Sequence, residues 1–351
     1  VADTVMNWPE SGNTQREGRP MERTKPVSTV SSGRDEAGGP GGTGSSQRRG
    51  GQAGAANGLL VRPSQPAWEK LARRAAYWGL VTAARPLHRT RMLPSFIIVG
   101  AERCGTTSLW DALRRHPAMF NAVLPKKELH YFDYQYTRGL DWYQCHFPLK
   151  SRASLAARRC GAAPVAFEAS PYYIFHPLAP ERIHRDLPGV KVLAMLRDPV
   201  ARAYSAYLLR VGRGYETESF ERALELEESR LAGEVERLVA DPSYVSFNHR
   251  HFAYRARGQY ADQLERMEKL FGRERIHVVD SADFFTNPGA VYDGVLEFLG
   301  LPHHDHPAFE RPSTRSRAPM PDTVRSALEE HYRPHDERLA AWLGREPSWR
   351  R

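Results

Sequence analysis

Apolar and polar positions along the chain fall into two regimes. Up to residue 63 they have no period: Gly, Ser, Arg and Pro dominate, with AGGPGGTGSSQRRGGQAGAANG as the extreme stretch. Such a segment cannot bury enough apolar surface to offset the entropy of ordering it. Residues 1–63 are expected to form a disordered tail. Residues 64–93 read as a linker in which PAWEKLARRAAYWGLVTAARPLH has helical spacing, an amphipathic helix expected to dock on the domain edge.

From residue 94 the period changes. SFIIVG is a short continuous apolar run ending in Gly, the pattern of a strand buried on both faces. TTSLWDALRRHP then spaces its apolar residues as one helix face and stops before Pro117. An irregular stretch leads to PVAFEAS, a second strand. ERIHRDLP is helical, VKVLAMLRDP is a third strand, and VARAYSAYLLRV a helix directly after it. RIHVVDSADF is a fourth strand and PGAVYDGVLEFLGLP another helix. Residues 212–257 are charged and largely helical, and SFERALELEESRLAGEVERLVADP reads as a lid or scaffold over a cleft. Strands alternating with helices predict an α/β protein, a P-loop-like three-layer fold with a central parallel sheet flanked by helices.

Composition changes this picture little. The 351 residues carry a net charge of +9, but residues 1–93 hold 14 Lys and Arg against 7 Asp and Glu, so the rest is close to balance at +2. A basic excess that sits mostly on the N-terminal 93 residues is weak support for a nucleic-acid partner, and none is expected. The longest apolar candidate, AAYWGLVTAA, is too short to span a membrane, and the first residues lack the apolar core of a signal peptide, so neither a transmembrane segment nor a leader is expected. Cys104, Cys145 and Cys160 have no metal-type spacing, and HHDH at 303–306 is flanked by prolines and reads as an exposed turn, so no metal is expected. Few cysteines fit a reduced compartment, and a cytoplasmic location is expected.

The chemistry gathers at VGAERCGTTS, residues 99–108. Gly100, four residues, Gly105 and then Thr106, Thr107 and Ser108 nearly spell a phosphate-binding loop, with Thr106 where an NTPase has its Lys. A strand feeding a glycine turn into a helix start offers unpaired N–H groups and the positive end of the helix dipole to an anion. Arg103 adds a permanent cation, and Cys104 reads as a packing residue. The residues alone leave open a capped helix that binds nothing. The third strand ends in Arg197, not in the acid a Mg²⁺ nucleotide would require, which demotes an ordinary kinase-like NTPase. Asp198 suits a helix cap, and Ser205 lies two turns into the next helix. Arg197 and Ser205 would bring a second set of anion-binding groups to the same sheet rim.

In order, FIIVGAERCGTTSL, KKELHYFD, FEASPYYIFHP and VLAMLRDPVARAYSAY resemble the sulfotransferases that use 3′-phosphoadenosine-5′-phosphosulfate (PAPS), nearest to the heparan-sulfate-type domain and its bacterial relatives. The resemblance spans residues 94–351, down to LAAWLGREPSW, and identifies that stretch as a sulfotransferase domain. It implies transfer of a sulfuryl group from PAPS, without a metal, to a hydroxyl or amine of a carbohydrate, lipid, peptide tyrosine or small metabolite, with 3′,5′-ADP as product. By resemblance Arg103, Cys104, Gly105, Thr106, Thr107 and Ser108 hold the 5′-phosphosulfate, and Arg197 with Ser205 the 3′-phosphate. Arg315 and Arg317, in STRSRAPMP, would close over the donor. Glu128 is implied as general base, with His130 beside it in the catalytic set. Asp133, Glu168 and Ser170 would line the acceptor side. Gly258 and Tyr260 match a segment near the nucleotide, although Tyr260 suits the core equally.

Two departures stand out. Arg103 occupies the place of a family Lys that touches the bridging oxygen of the leaving group, and Arg cannot give up a proton. Ala169 stands where heparan-type 3-O-enzymes have Lys, which argues against assuming a heparan acceptor. A nucleotide- or anion-binding protein without turnover is the alternative from another class.

Overall fold

The computed structural model describes residues 67–123, 127–158, 161–309 and 319–351. The tail, residues 1–63, lies outside them.

Five strands form one all-parallel sheet: β1 (Pro94–Gly100), β2 (Met119–Asn121), β3 (Val165–Ala169), β4 (Lys191–Leu196) and β5 (Ile276–Asp280), in the order β2-β3-β1-β4-β5. Four were legible as apolar runs. The fifth, β2, fell within the stretch read as irregular, because three residues at a sheet edge carry too little pattern to be seen. The fourth predicted strand also ends early. After Asp280 the chain turns into the helix Ser281–Thr286, whose Ala282 N–H is capped by the Asp280 carboxylate at 2.9 Å.

Phe96, Ile97, Ile98 and Val99 of β1, with Val192 to Met195 of β4, are completely buried, as a parallel sheet covered on both faces requires. Phe96 stacks on Phe167 of β3 at 4.9 Å between ring centres. Helices Thr106–Leu113, Ala179–Asp186, Pro199–Gly212, Tyr260–Phe271 and Pro288–Leu299 supply the covering layers. A 22-residue helix, Asp322–Leu343, packs on Tyr260–Phe271 and Pro199–Gly212. The charged segment is not one lid helix. It breaks into Phe220–Glu225, Glu227–Leu231 and Glu234–Ala240, the last entered through Gly233 at φ 73°. The helix expected in the linker is Ala67–Ala84, and it docks through Tyr77, whose hydroxyl lies 2.6 Å from His146 Nε2.

The strand order reverses beside β1: the chain runs outward to β2 and β3, then crosses to β4 and β5. Ligands of open parallel sheets bind outside the strand carboxyl ends at such a point. The loops after β1, β3 and β4 all open there.

Candidate active site

The loop after β1 wraps from Gly100 into the helix Thr106–Leu113. Gly105 caps that helix at φ 97°, and a Cβ there would lie 3.0 Å from the Phe285 ring and 3.1 Å from Met195 Cε, so both conformation and space demand glycine. Thr107 is exposed and Ser108 half-buried, while Thr106 is buried. Cys104 points inward, its Sγ 3.6 Å from the Tyr260 hydroxyl. Burial pushes its thiol up in pKa, as befits a packing residue.

Arg103, at φ 71°, donates from Nε to Ser205 Oγ at 3.1 Å, joining residues 102 positions apart. The loop after β1 and the helix after β4 are thus in direct contact. Ser205 is buried in the helix Pro199–Gly212, and Asp198 caps that helix through the Val200 and Ala201 N–H groups. Arg197 directly follows β4, and its carbonyl accepts from the Tyr260 hydroxyl at 2.9 Å. Tyr260 is therefore core, and Gly258 packs against Tyr332.

Glu102, between the loop glycines, binds Arg210 Nη2 at 2.7 Å and also pairs with Arg257 Nη1. Burial is the largest influence on its carboxyl and would raise it, but the two guanidinia outweigh it and hold it far below the usual range. Arg202, fully buried behind Cys104, has Nε and Nη1 without a hydrogen-bond partner among the described residues. Arg257 is pushed down to about 10, chiefly by burial. The loop therefore rests on a surplus of positive charge.

Across the loop stands Glu128. Its N–H donates to the Ala169 carbonyl at 3.0 Å, the His130 N–H to Ser170 Oγ at 3.2 Å, and the Tyr131 N–H to the Tyr173 hydroxyl at 2.8 Å, all groups at or just past the end of β3. These anchors hold Glu128 at φ 61° and His130 at φ 53°. With Arg103 they are the non-glycine residues with positive φ among the described residues, and each such conformation costs on the order of 1 kcal/mol. Strain thus falls on Glu128 and His130, which the family resemblance implies in catalysis, and on Arg103, which stands at the place of the family Lys.

His130 Nδ1 lies 2.6 Å from Asp133 Oδ2, and Nε2 lies 3.8 Å from Glu128 Oε2. Burial is the largest influence on His130 and would lower it, but Asp133 prevails and raises it to about 9. Burial likewise would raise Glu128, but His130 and Lys127 hold it at about 2. At neutral pH the site therefore presents a carboxylate beside an imidazolium.

Asp133, Glu168 and Ser170 come together behind this arm. Asp133 also accepts from the Tyr134 N–H. Glu168 is buried and accepts from Ser170 Oγ at 2.6 Å, the Tyr173 hydroxyl at 2.7 Å and the Tyr143 hydroxyl. Their oxygens are occupied by the protein, so they brace Glu128 and His130. Arg315 and Arg317 lie outside the described residues.

Sequence reasoning missed Lys127 as a loop residue: its Nζ reaches Thr107 Oγ1 at 2.9 Å and Glu128 Oε1 at 3.1 Å. It also missed Glu102 with its arginines. A charged residue between two loop glycines was a usable signal for Glu102, whereas nothing local marks Arg210 or Arg257.

Fold and site together define an α/β protein with a glycine-bounded strand–loop–helix at the switch point of a parallel sheet and a carboxylate facing it. The model of the sulfotransferase domain matches residues 93–322, and the chain belongs to that family. It is 26% identical over 323 residues to the membrane-associated sulfotransferase kil1 of Dictyostelium discoideum, covering 73% of this chain and 66% of that one. It is 31% identical over 214 residues to human heparan sulfate glucosamine 3-O-sulfotransferase 5, covering 60% and 55%. A solved sulfotransferase from Alicyclobacillus acidocaldarius superposes with a TM-score of 0.58 at 32% identity, over 74% of this chain and 100% of that one. The chain thus spans between about half and two thirds of these two curated relatives. The expected cytoplasmic location does not stand, because the Dictyostelium relative is membrane-associated. Among the described residues no helix is long and apolar enough to cross a membrane.

Proposed function

We propose that the protein transfers a sulfuryl group from PAPS to a hydroxyl or amine of an acceptor, releasing 3′,5′-ADP. The observation that carries this is the Arg103–Ser205 contact, which brings the loop after β1 against the helix after β4, beside the buried Arg202, Arg210 and Arg257. That donor set fits a ligand with phosphates at both ends of a nucleoside. Helix-start N–H groups and the Thr107 and Ser108 hydroxyls suit the 5′ end, and Arg197 with Ser205 suits the 3′-phosphate. Arg315 and Arg317 complete the set by family resemblance. When bound, PAPS supplies a sulfuryl group already attached to a good leaving phosphate.

The chain then has three tasks: alignment, proton removal and charge stabilisation. Glu128 faces the loop as a carboxylate and takes the acceptor proton. His130, held by Asp133, keeps that carboxylate ionised and oriented. The cations beneath the loop offset charge on the departing phosphate, which requires positioning more than covalent chemistry. A carbohydrate acceptor is the first choice, since several relatives are named for heparan sulfate, but Ala169 counsels against assuming heparan itself.

The test pairs two variants. Glu128→Gln should keep 3′,5′-ADP affinity and lose about 100- to 10,000-fold in transfer. Arg197→Ala should weaken 3′,5′-ADP binding about tenfold or more, read by calorimetry. Transfer by Glu128→Gln at the parent rate would overturn the mechanism. Binding of 3′,5′-ADP without transfer to any acceptor would favour a non-catalytic nucleotide-binding protein. Magnesium-dependent ATP consumption would favour a kinase-like NTPase.

A further inference from the structure

We infer that the cation acting on the leaving group is Lys127, supplied from the Glu128 arm, and that Arg103 has moved to the 3′-phosphate side of the pocket. This rests on the sulfotransferase reading above and reassigns the roles within it.

Three contacts carry the inference. Lys127 Nζ donates to Thr107 Oγ1 at 2.9 Å, which puts an ammonium over the first turn of the loop's helix, where a 5′-phosphate would meet N–H groups. The same Nζ donates to Glu128 Oε1 at 3.1 Å, so it stands between proton acceptor and loop. Arg103 Nε donates to Ser205 Oγ at 3.1 Å, in the helix after β4. Lys127 is 20 positions from Thr107, so the ammonium beside the loop's helix comes from another segment of the chain.

The chemical consequence is specific. A guanidinium stays charged throughout, whereas an ammonium is a compact donor able to pass a proton. Glu128 accepts the acceptor's proton as the acceptor oxygen bonds to sulfur. The sulfur–oxygen bond to the phosphate breaks, and its electron pair remains on the phosphate oxygen, where Lys127 donates a hydrogen bond. Turning toward that oxygen withdraws Lys127 from Glu128, and the carboxylate becomes more basic as the proton arrives. One residue thus couples leaving-group stabilisation to base strength.

The roles separate by ligand. 3′,5′-ADP carries both phosphates, and adenosine 3′-monophosphate lacks the 5′-phosphate. Calorimetry should show the parent protein preferring 3′,5′-ADP. Lys127→Ala should collapse that preference by about tenfold while leaving adenosine 3′-monophosphate unchanged, and should lower kcat for transfer by about 100-fold. Arg103→Ala should weaken both ligands by a similar factor. Lys127→Arg should restore the binding preference but only part of kcat, which a purely structural role would not separate. If Lys127→Ala keeps the parent's preference for 3′,5′-ADP, the assignment is overturned while the sulfotransferase reading stands. If the parent binds neither nucleotide, that reading fails first.

Discussion

The most demanding consequence of the site concerns Glu102, a carboxylate inside the anion-binding loop. Its side chain is 24% exposed, yet its partners Arg210 and Arg257 have side chains only 3% and 6% exposed. Replacing Glu102 by Ala leaves two buried guanidinia facing each other without their shared anion. Breaking one buried ion pair from one side costs about 3–5 kcal/mol. Some of that is recovered here, because Arg210 also donates to the His251 carbonyl and Arg257 to the His249 and Arg250 carbonyls. The expected loss is therefore about 3 kcal/mol, a large share of the margin of an ordinary domain. Urea denaturation of Glu102→Ala should show it as a lower midpoint with an unchanged slope. The pH dependence has a definite sign. The Glu102 carboxyl is depressed in the folded state, so its stabilisation is present above its unfolded value and lost as pH falls towards the folded one. The parent should lose stability on acidification below about pH 4.5, and Glu102→Ala should lose less. A Glu102→Ala protein destabilised by under about 1 kcal/mol, with the parent's acid profile, would refute the argument that this carboxylate neutralises the cations under the loop.

The same geometry sets two further outcomes. His130 is raised to about 9, above its unfolded value, so its pairing with Asp133 stabilises fully below about pH 6.5 and is lost as pH rises through 9. Ring titration by NMR should find His130 protonated at neutral pH in the parent and much less so in Asp133→Asn; a parent midpoint near 6.5 would contradict the pairing. Gly105→Val combines φ 97° with contact against Phe285 and Met195, and should cost several kcal/mol and abolish 3′,5′-ADP binding. A stable, nucleotide-binding Gly105→Val protein would show that the loop tolerates another path.

Much of this site could be read before any fold was known, and the reason is locality. SFIIVG followed by Gly105, Thr106 and Thr107 is a strand, turn and helix start within a dozen or so residues, and each piece is dictated by neighbours in the chain. The apolar runs of β3, β4 and β5 were legible for the same reason. The three-residue β2 was not, since it is a strand only because Met119 to Asn121 lie alongside Val165 to Phe167. The supposed lid helix over 212–240 failed differently: its charged pattern was helical throughout, but Gly233 takes a left-handed conformation and the chain turns there.

Local pattern, then, determined the parallel α/β scaffold and the glycine-bounded loop at a strand–helix junction, while the roles at its rim came from the order of four motifs that resemble one family. It could not say which of them touch. Arg103 meeting Ser205, Lys127 meeting Thr107, and Glu102 lying between Arg210 and Arg257 are contacts across 102, 20, 108 and 155 positions. Such separations carry no periodic signal, because they are set by how helices pack on the sheet. The same packing buried Glu168 and Ser170 behind Glu128, turning residues that looked like site lining into its support. Tertiary structure decided the division of labour because charge acts through space, and only the folded chain brings these groups within a hydrogen bond's reach.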